Sequence, residues 1–221
     1  MADEQTREYY RQRAPEYEQI YYRDNPPRRK EIDDEAAFLR AFATDQEVVE
    51  LACGTGYWTR IAAQTARSVV AMDLSPEMIV QAKRKEYNQE PLFVVGDLER
   101  PPVVDGAFDL LVLGFWLSHQ AKETYPAFFE TISRPLRRGG GIWMIDNNPP
   151  AEGPTVDSAR VDEHGNNYKM RRLNNGDSYV ILKNYFERGE LVAIVEPYFH
   201  LERLVYGTYY WSMVLRPKGL R

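Results

Sequence analysis

The sequence has one cysteine, Cys53, three histidines and no long apolar run. A lone cysteine excludes an internal disulfide framework and a cluster of thiolate ligands, each of which needs several sulfurs. With only His119, His164 and His200 beside it, no metal site is expected. No stretch approaches the roughly 20 apolar residues of a bilayer-spanning helix. Met1 to Arg13 is polar and charged where a secretory leader would be apolar, so a cytoplasmic protein with no membrane partner is expected. A basic excess is missing too: 28 Lys and Arg stand against 33 Asp and Glu, a formal net charge of −5. That sign is poorly suited to a nucleic-acid backbone and favours a small-molecule partner. The 221 residues, 43% hydrophobic, suffice for one sizeable core and show no sign of a second.

What is present is organised around Val48-Val49-Glu50-Leu51-Ala52-Cys53-Gly54-Thr55-Gly56-Tyr57-Trp58-Thr59. An apolar run without polar alternation suits a parallel strand covered on both faces. Gly54 and Gly56 permit backbone conformations and a close ligand approach that a Cβ forbids. The stretch therefore reads as strand, glycine turn and helix start, with a loop suited to a nucleotide-sized ligand.

Upstream, Thr6 to Tyr22 reads as a helix, with Tyr10, Ala14, Tyr17 and Tyr21 at three- and four-residue spacing, a break or restart at Pro15 and an end at Asn25-Pro26-Pro27. Its rings, among the chain's 15 tyrosines, are either edge packing or a functional surface. A second helix is expected from Arg28 to Phe42. Downstream, a helix over 58–66 leads to a strand over 68–72 ending at Asp73, and Ser75-Pro76-Glu77 opens the next helix with a cap and a first-turn proline. Strands over 92–95 and 108–113 follow, then a helix near 124–134, closed by Gly139-Gly140, and a strand over 141–145 ending at Asp146. Such alternation predicts a doubly wound α/β fold with a mainly parallel sheet and helices on both faces. Beyond an irregular connection from Asn147, Asn174-Asn175-Gly176 predicts a tight hairpin turn between 168–173 and 178–185, and 198–205 with 208–215 reads as a terminal antiparallel pair.

Glu50-Leu51-Ala52-Cys53-Gly54-Thr55-Gly56, Asp73 closing the second strand and Gly96-Asp97-Leu98 closing the third together resemble the class I S-adenosylmethionine-dependent methyltransferases. The small-molecule branch grouped as type 11 or 25 domains is the most similar, its members commonly opening on a Tyr-rich helix. The resemblance covers residues 47–146 and implies a seven-stranded sheet. It also implies one domain over 1–221: an N-terminal helical cap (1–45), a cofactor-binding core (46–146), a loop and hairpin over the acceptor site (147–185), and a terminal helix with antiparallel strands (186–221). The implied function is methyl transfer from S-adenosylmethionine, leaving S-adenosylhomocysteine, to an O, N or S atom of a small molecule. A monomer or homodimer is expected.

The family's roles carry over as follows. Gly54 and Gly56 would lie against the methionine part. Glu50 would hold the loop and bind the amino end, or only order the loop. Asp73, about twenty residues beyond the loop, would accept from the ribose diol; its alternative is helix capping. Leu74 and Met78 would border the adenine, or be core. Asp97 would take the adenine amino group and Leu98 pack on the ring, an ordinary turn aspartate being the alternative. Apart from the resemblance, Tyr17 and Tyr22 on the Tyr-rich helix are read as lid residues that could offer ring faces to the sulfonium. The nicotinamide fingerprint wants a third glycine where Thr59 stands, which disfavours an oxidoreductase. A binding protein that keeps the loop without catalysis is the other alternative. Cys53 reads as a small hydrophobe.

Ligands collect at the carboxyl ends of strands in such sheets, so Gly114-Phe115-Trp116-Leu117-Ser118-His119 should face the cofactor, with Phe115 and Trp116 walling the methyl group. His119 is read either as a general base for a hydroxyl, amine or thiol or as a residue that only hydrogen-bonds the following helix. Arg160, His164, Lys169, Arg171 and Arg172 suggest recognition of an acidic group or, more simply, a solvated hairpin face.

Overall fold

The computed structural model describes residues 4–21, 25–150 and 160–219. The helices are α1 (Glu4–Arg13), α2 (Pro26–Phe42), α3 (Tyr57–Ala62), α4 (Pro76–Ala82), α5 (Tyr125–Ser133) and α6 (Arg188–Val195). The strands are β1 (Glu47–Leu51), β2 (Ser68–Asp73), β3 (Leu92–Val95), β4 (Phe108–Gly114), β5 (Leu136–Asn147), β6 (Arg160–Val161), β7 (Asn167–Arg172), β8 (Ser178–Leu182), β9 (Phe199–Tyr206) and β10 (Tyr210–Pro217). Seven strands form one sheet in the order β3-β2-β1-β4-β5-β10-β9, and β6, β7 and β8 form a second, smaller one. β1 to β5 run parallel, while β10 is antiparallel to both β5 and β9. This is the mainly parallel sheet with a terminal antiparallel pair expected from the sequence.

The absence of polar alternation in β1 has a direct cause. Val49 and Leu51 join the core under α5 and α6, with Leu111, Ile142, Phe129 and Leu191. Val48 faces the opposite core under α2 and α3, with Leu39, Trp58 and Trp143. Each face therefore buries its own apolar set, and the loops at the carboxyl ends of the strands stand on a rigid floor. Among the described residues no helix is long and apolar enough to cross a membrane.

Four boundaries differ from expectation. The N-terminal helix stops at Arg13, and a short 3₁₀ turn follows at Tyr17–Ile20, because Pro15 offers no N–H to carry the helix on. Asn25-Pro26-Pro27 opens α2 rather than closing the preceding helix: Asn25 Oδ1 accepts from Arg28 N at 3.0 Å, and the prolines occupy positions that need no donor. β5 begins at Leu136 and runs through all three glycines. The hairpin turn is a three-residue loop closed by Leu173 N to Asp177 O at 2.9 Å. Only Gly176, at φ 99°, takes the left-handed conformation, so the two-residue Asn-Gly turn is not used.

α2 is tied to the antiparallel pair. Glu31 accepts from the N–H groups of Thr208, Tyr209 and Tyr210, and Arg203 makes a two-pronged contact with Glu35 at 2.7 and 3.1 Å.

Candidate functional site

At the carboxyl end of β1 the chain turns sharply. Ala52 (φ 54°) and Gly54 (φ 55°) are both left-handed, an arrangement that costs a non-glycine residue about 1–3 kcal/mol and clusters at functional sites. Gly56 (φ 79°) starts α3, and a Cβ there would meet the Tyr87 hydroxyl at 2.8 Å and Ala82 Cβ at 3.0 Å. Asp73, at the end of β2, holds the turn: its Oδ2 accepts from Gly54 N at 2.8 Å and its Oδ1 from Ser75 N at 2.9 Å. Burial raises the Asp73 carboxyl above its ordinary range, and these N–H bonds oppose that shift. Ser75 itself caps α4 by accepting from Met78 N. Asp73 thus orders loop backbone and leaves the capping to Ser75.

Glu50 lies beneath the loop, outside the cavity lining, and accepts from Thr59 Oγ1 at 2.5 Å. Burial pushes its carboxyl up to about 8, against that hydrogen bond and the attraction of Lys85. Thr59, which occupies the third-glycine position, is therefore the partner of the buried acid. Lys85 also reaches Thr55 O at 2.6 Å and pairs with Glu18, tying the 3₁₀ turn at Tyr17–Ile20 to the loop. The folded protein holds a proton on Glu50 that the unfolded chain loses near pH 4.5. Its contribution to stability is therefore complete below that pH and disappears as pH rises through about 8. Glu50→Gln should flatten this slope in thermal melts of the ligand-free protein between pH 5 and 8; parallel wild-type and variant curves would contradict it.

Above the loop is a cavity of about 580 Å³, which Tyr17, Gly54, Asp73, Leu74, Met78, Phe115 and His119 all line. A pocket of about 40 Å³ adjoins it, formed by Asp73, Leu74, Asp97, Leu98 and Trp116 among others. Asp97 Oδ1 accepts from Glu99 N at 3.0 Å. The predicted residues thus meet at one place, apart from Glu50 and Gly56, which lie behind the loop, and Tyr22, which lies outside the described residues. Phe115 is left-handed too, at φ 58°, and its ring packs near Tyr21, Trp58 and Tyr210. Gly114 precedes it because a Cβ would stand 2.5 Å from Trp58 Cδ1. Gly114→Ala should destabilise the fold by about 1–3 kcal/mol through overpacking, read as a melting point several degrees lower; an unchanged melting point would show that Trp58 yields freely.

At the far end of the cavity His119 is fully engaged. Its Nδ1 lies 2.6 Å from Leu182 O, a contact that only an N–H satisfies, so Nδ1 carries the proton and Nε2 accepts from the Tyr10 hydroxyl at 2.7 Å. Burial, reinforced by the charge of Lys183, lowers the imidazole to about 3, and His119 is neutral at physiological pH. Lys183 Nζ reaches Asp146 Oδ1 at 3.0 Å and Ser118 Oγ at 2.6 Å. Asp146 also accepts from Ser118 N at 2.9 Å and Asn147 N at 2.7 Å. Burial works to raise the Asp146 carboxyl, but Lys183 and these bonds hold it below its ordinary value. Asn184 adds N–H bonds to Ser118 O and Gln120 O. The residues following β8 are in this way fastened to the turn that presents His119.

A family model described as a methyltransferase domain matches residues 48–140. A malonyl-acyl-carrier-protein O-methyltransferase of Pectobacterium atrosepticum is 32% identical over 96 residues, 43% of this chain and 36% of that enzyme, so the chain spans little more than a third of that relative. Two solved structures are similar along almost the whole chain. A DhpI–SAH complex is 28% identical with a TM-score of 0.74, covering 97% of this chain and 95% of its own. A DhpI–SAM–HEP complex is 26% identical with a TM-score of 0.75, covering 97% of each. These matches support a class I S-adenosylmethionine-dependent methyltransferase of the small-molecule type.

Tyr10, Tyr179 and the Asp146–Lys183 pair do not stand out in the sequence as site residues. Tyr10 was visible only as one ring of an aromatic stripe. Asp146, closing a strand as Asp73 does, was the one available hint of the buried pair; its partner lies 37 residues away on a hairpin whose docking no local pattern encodes.

Proposed function

We propose that this methyltransferase binds S-adenosylmethionine in the large cavity and moves its methyl group to an oxygen, nitrogen or sulfur atom of a small molecule by direct in-line displacement. The observation that carries the reading is that Asp73 and Leu74 line both the large cavity, which Gly54, Tyr10 and His119 also line, and the small pocket beside it, which holds Asp97 and Leu98. Asp73 would accept from the ribose hydroxyls with the lone pairs that Gly54 N and Ser75 N leave free. Asp97, Leu74 and Leu98 would hold the adenine, and Gly54 the methionine end, on a loop that Glu50 supports from behind through Thr59. When bound, S-adenosylmethionine supplies an already activated methyl group on a positive sulfonium, so alignment of the acceptor furnishes much of the rate.

The chain's own residues supply that alignment. Tyr17 and Tyr10 on the N-terminal segment roof the cavity, held by the Lys85–Glu18 pair and by the stacking of Tyr21 on Tyr57 at 3.9 Å. His119 keeps the Tyr10 hydroxyl in place as a neutral acceptor. The roof excludes water and must open for product to leave. Incubation with methyl-labelled S-adenosylmethionine and an acceptor panel should give S-adenosylhomocysteine in step with labelled product. Tight cofactor binding without S-adenosylhomocysteine from any acceptor would favour a non-catalytic binding protein.

A further inference from the structure

The two edges of the seven-stranded sheet, β3 and β9, are finished differently. β9 carries charge along its length: Glu202 pairs with Arg216 and Arg203 with Glu35, and His200 is exposed. Its ladder with β10 is also broken by a register shift. Charges and irregularities of this kind keep an edge from joining another strand. β3 has none of them. Its residues, Leu92-Phe93-Val94-Val95, are all apolar, its ladder with β2 is regular, and among the described residues no strand pairs with its outer side.

The surroundings of β3 are apolar as well. Among the described residues eight large hydrophobic side chains are exposed, and five of them lie here: Leu92 and Val95 on β3, Leu74 and Val80 on the turn and helix before it, and Val104 on the connection to β4. Leu92 is 63% exposed and Val104 71%. The cause is topological. The crossovers from β1 to β2, β2 to β3 and β4 to β5 each carry a helix, but none forms between β3 and β4, where Pro101-Pro102 disfavour one. Leu92 stands beside Val70 in register, on the sheet face that α5 and α6 cover only further along. Apolar side chains gathered in this way mark an interaction surface.

Charge at the two ends of β3 says what fits it. Glu90 precedes the strand and Arg100 follows it; both are exposed, and neither forms an ion pair among the described residues. Asp97 and Glu99, beside Arg100, already have contacts within the chain. In antiparallel pairing the entry of one strand meets the exit of the other. A second copy related by a two-fold axis therefore sets Glu90 against Arg100 twice, while the apolar strand meets its own image.

We propose that two copies of this chain associate through β3, antiparallel across a two-fold axis, so that their sheets become continuous. A strand of four residues offers few hydrogen bonds. The dimer is accordingly a weak one, with a dissociation constant of about 1–100 µM, as befits a small transient interface. The contact lies beside the small pocket, which Leu74 and, directly after β3, Gly96, Asp97 and Leu98 line.

Sedimentation velocity of the full chain from about 1 to about 500 µM, spanning that range, tests the proposal. Wild-type protein should pass from monomer to dimer. Leu92→Lys should weaken association about tenfold or more, because a lysine on an edge blocks strand addition. Arg100→Glu should weaken it about fivefold or more by setting like charges together, and Glu90→Arg combined with Arg100→Glu should return it to within about threefold of wild type. Met170→Lys, at an equally exposed apolar site on the smaller sheet, should leave association unchanged. All four variants should melt at the wild-type temperature, since each altered side chain is exposed. A monomer at every concentration, a dimer indifferent to Leu92→Lys, a dimer lost in Met170→Lys, or a double exchange that repairs nothing would overturn the proposal.

Discussion

Asp73→Ala should weaken S-adenosylmethionine binding by about a hundredfold or more and lower the melting temperature of the free protein at the same time. Two effects combine. The variant loses the proposed contacts to the ribose, each charge-assisted hydrogen bond being worth about 1.5–3 kcal/mol. It also strands the N–H groups of Gly54 and Ser75, which Asp73 now accepts at 2.8 and 2.9 Å, so the left-handed turn through Ala52 and Gly54 loses its tether. Asp73→Asn separates the contributions, because the amide keeps one acceptor oxygen for the loop but loses the charge. Its melting temperature should fall less than that of the alanine variant while its cofactor affinity still drops. Calorimetry and thermal melts on the two variants check this; wild-type affinity in both would mean that the ribose lies elsewhere.

Lys183→Met should be the most destabilising single change in the acceptor half. Asp146 is fully buried and Lys183 nearly so, and removing one partner of such a pair leaves a charge uncompensated, at a cost of about 3–5 kcal/mol. For a domain of this size that corresponds to a melting temperature lower by roughly 10 °C. Asp146→Asn combined with Lys183→Met should recover part of the loss, since asparagine can still accept from one of the two N–H groups, of Ser118 or of Asn147, that Asp146 now holds on separate oxygens, without a buried charge. The pair also acts on His119. Lys183 is the charge that pushes the imidazole down, after burial, while Asp146 pulls it up. Lys183→Met should therefore raise the His119 titration point from its low value of about 3, as followed by NMR of the imidazole. An unchanged titration and an unchanged melting temperature would show that the pair is ornamental to both stability and site.

The mainly parallel sheet, the glycine loop and the residues at the ends of β1, β2 and β3 were legible because each rests on local chemistry. Val48 to Leu51 had no polar alternation since both faces of β1 are covered. Gly54 and Gly56 marked a turn that a side chain would obstruct, and Ser75 and Pro76 marked a helix start. Asn25-Pro26-Pro27 misled because the same residues that stop one helix also cap the next. The acceptor end was less legible. His119 was visible as a histidine after β4, but its engagement by Tyr10, Leu182 and Lys183 depends on α1 and the residues around β8 meeting from 109, 63 and 64 positions away in sequence. Arg171 and Lys169 read as a solvated hairpin face in the sequence. The structure buries Lys169 and the Arg171 Nη1 atom instead, because α1 packs across β8 and turns that face of the hairpin inward.

The central claim is that the cavity between Gly54, Asp73 and His119 is an S-adenosylmethionine site, and titration calorimetry with S-adenosylmethionine, S-adenosylhomocysteine and NADH tests it most directly. Micromolar binding of the first two with one site per chain is expected, with no measurable binding of NADH. Binding of NADH at micromolar concentration, with neither sulfur ligand bound better than millimolar, would contradict it.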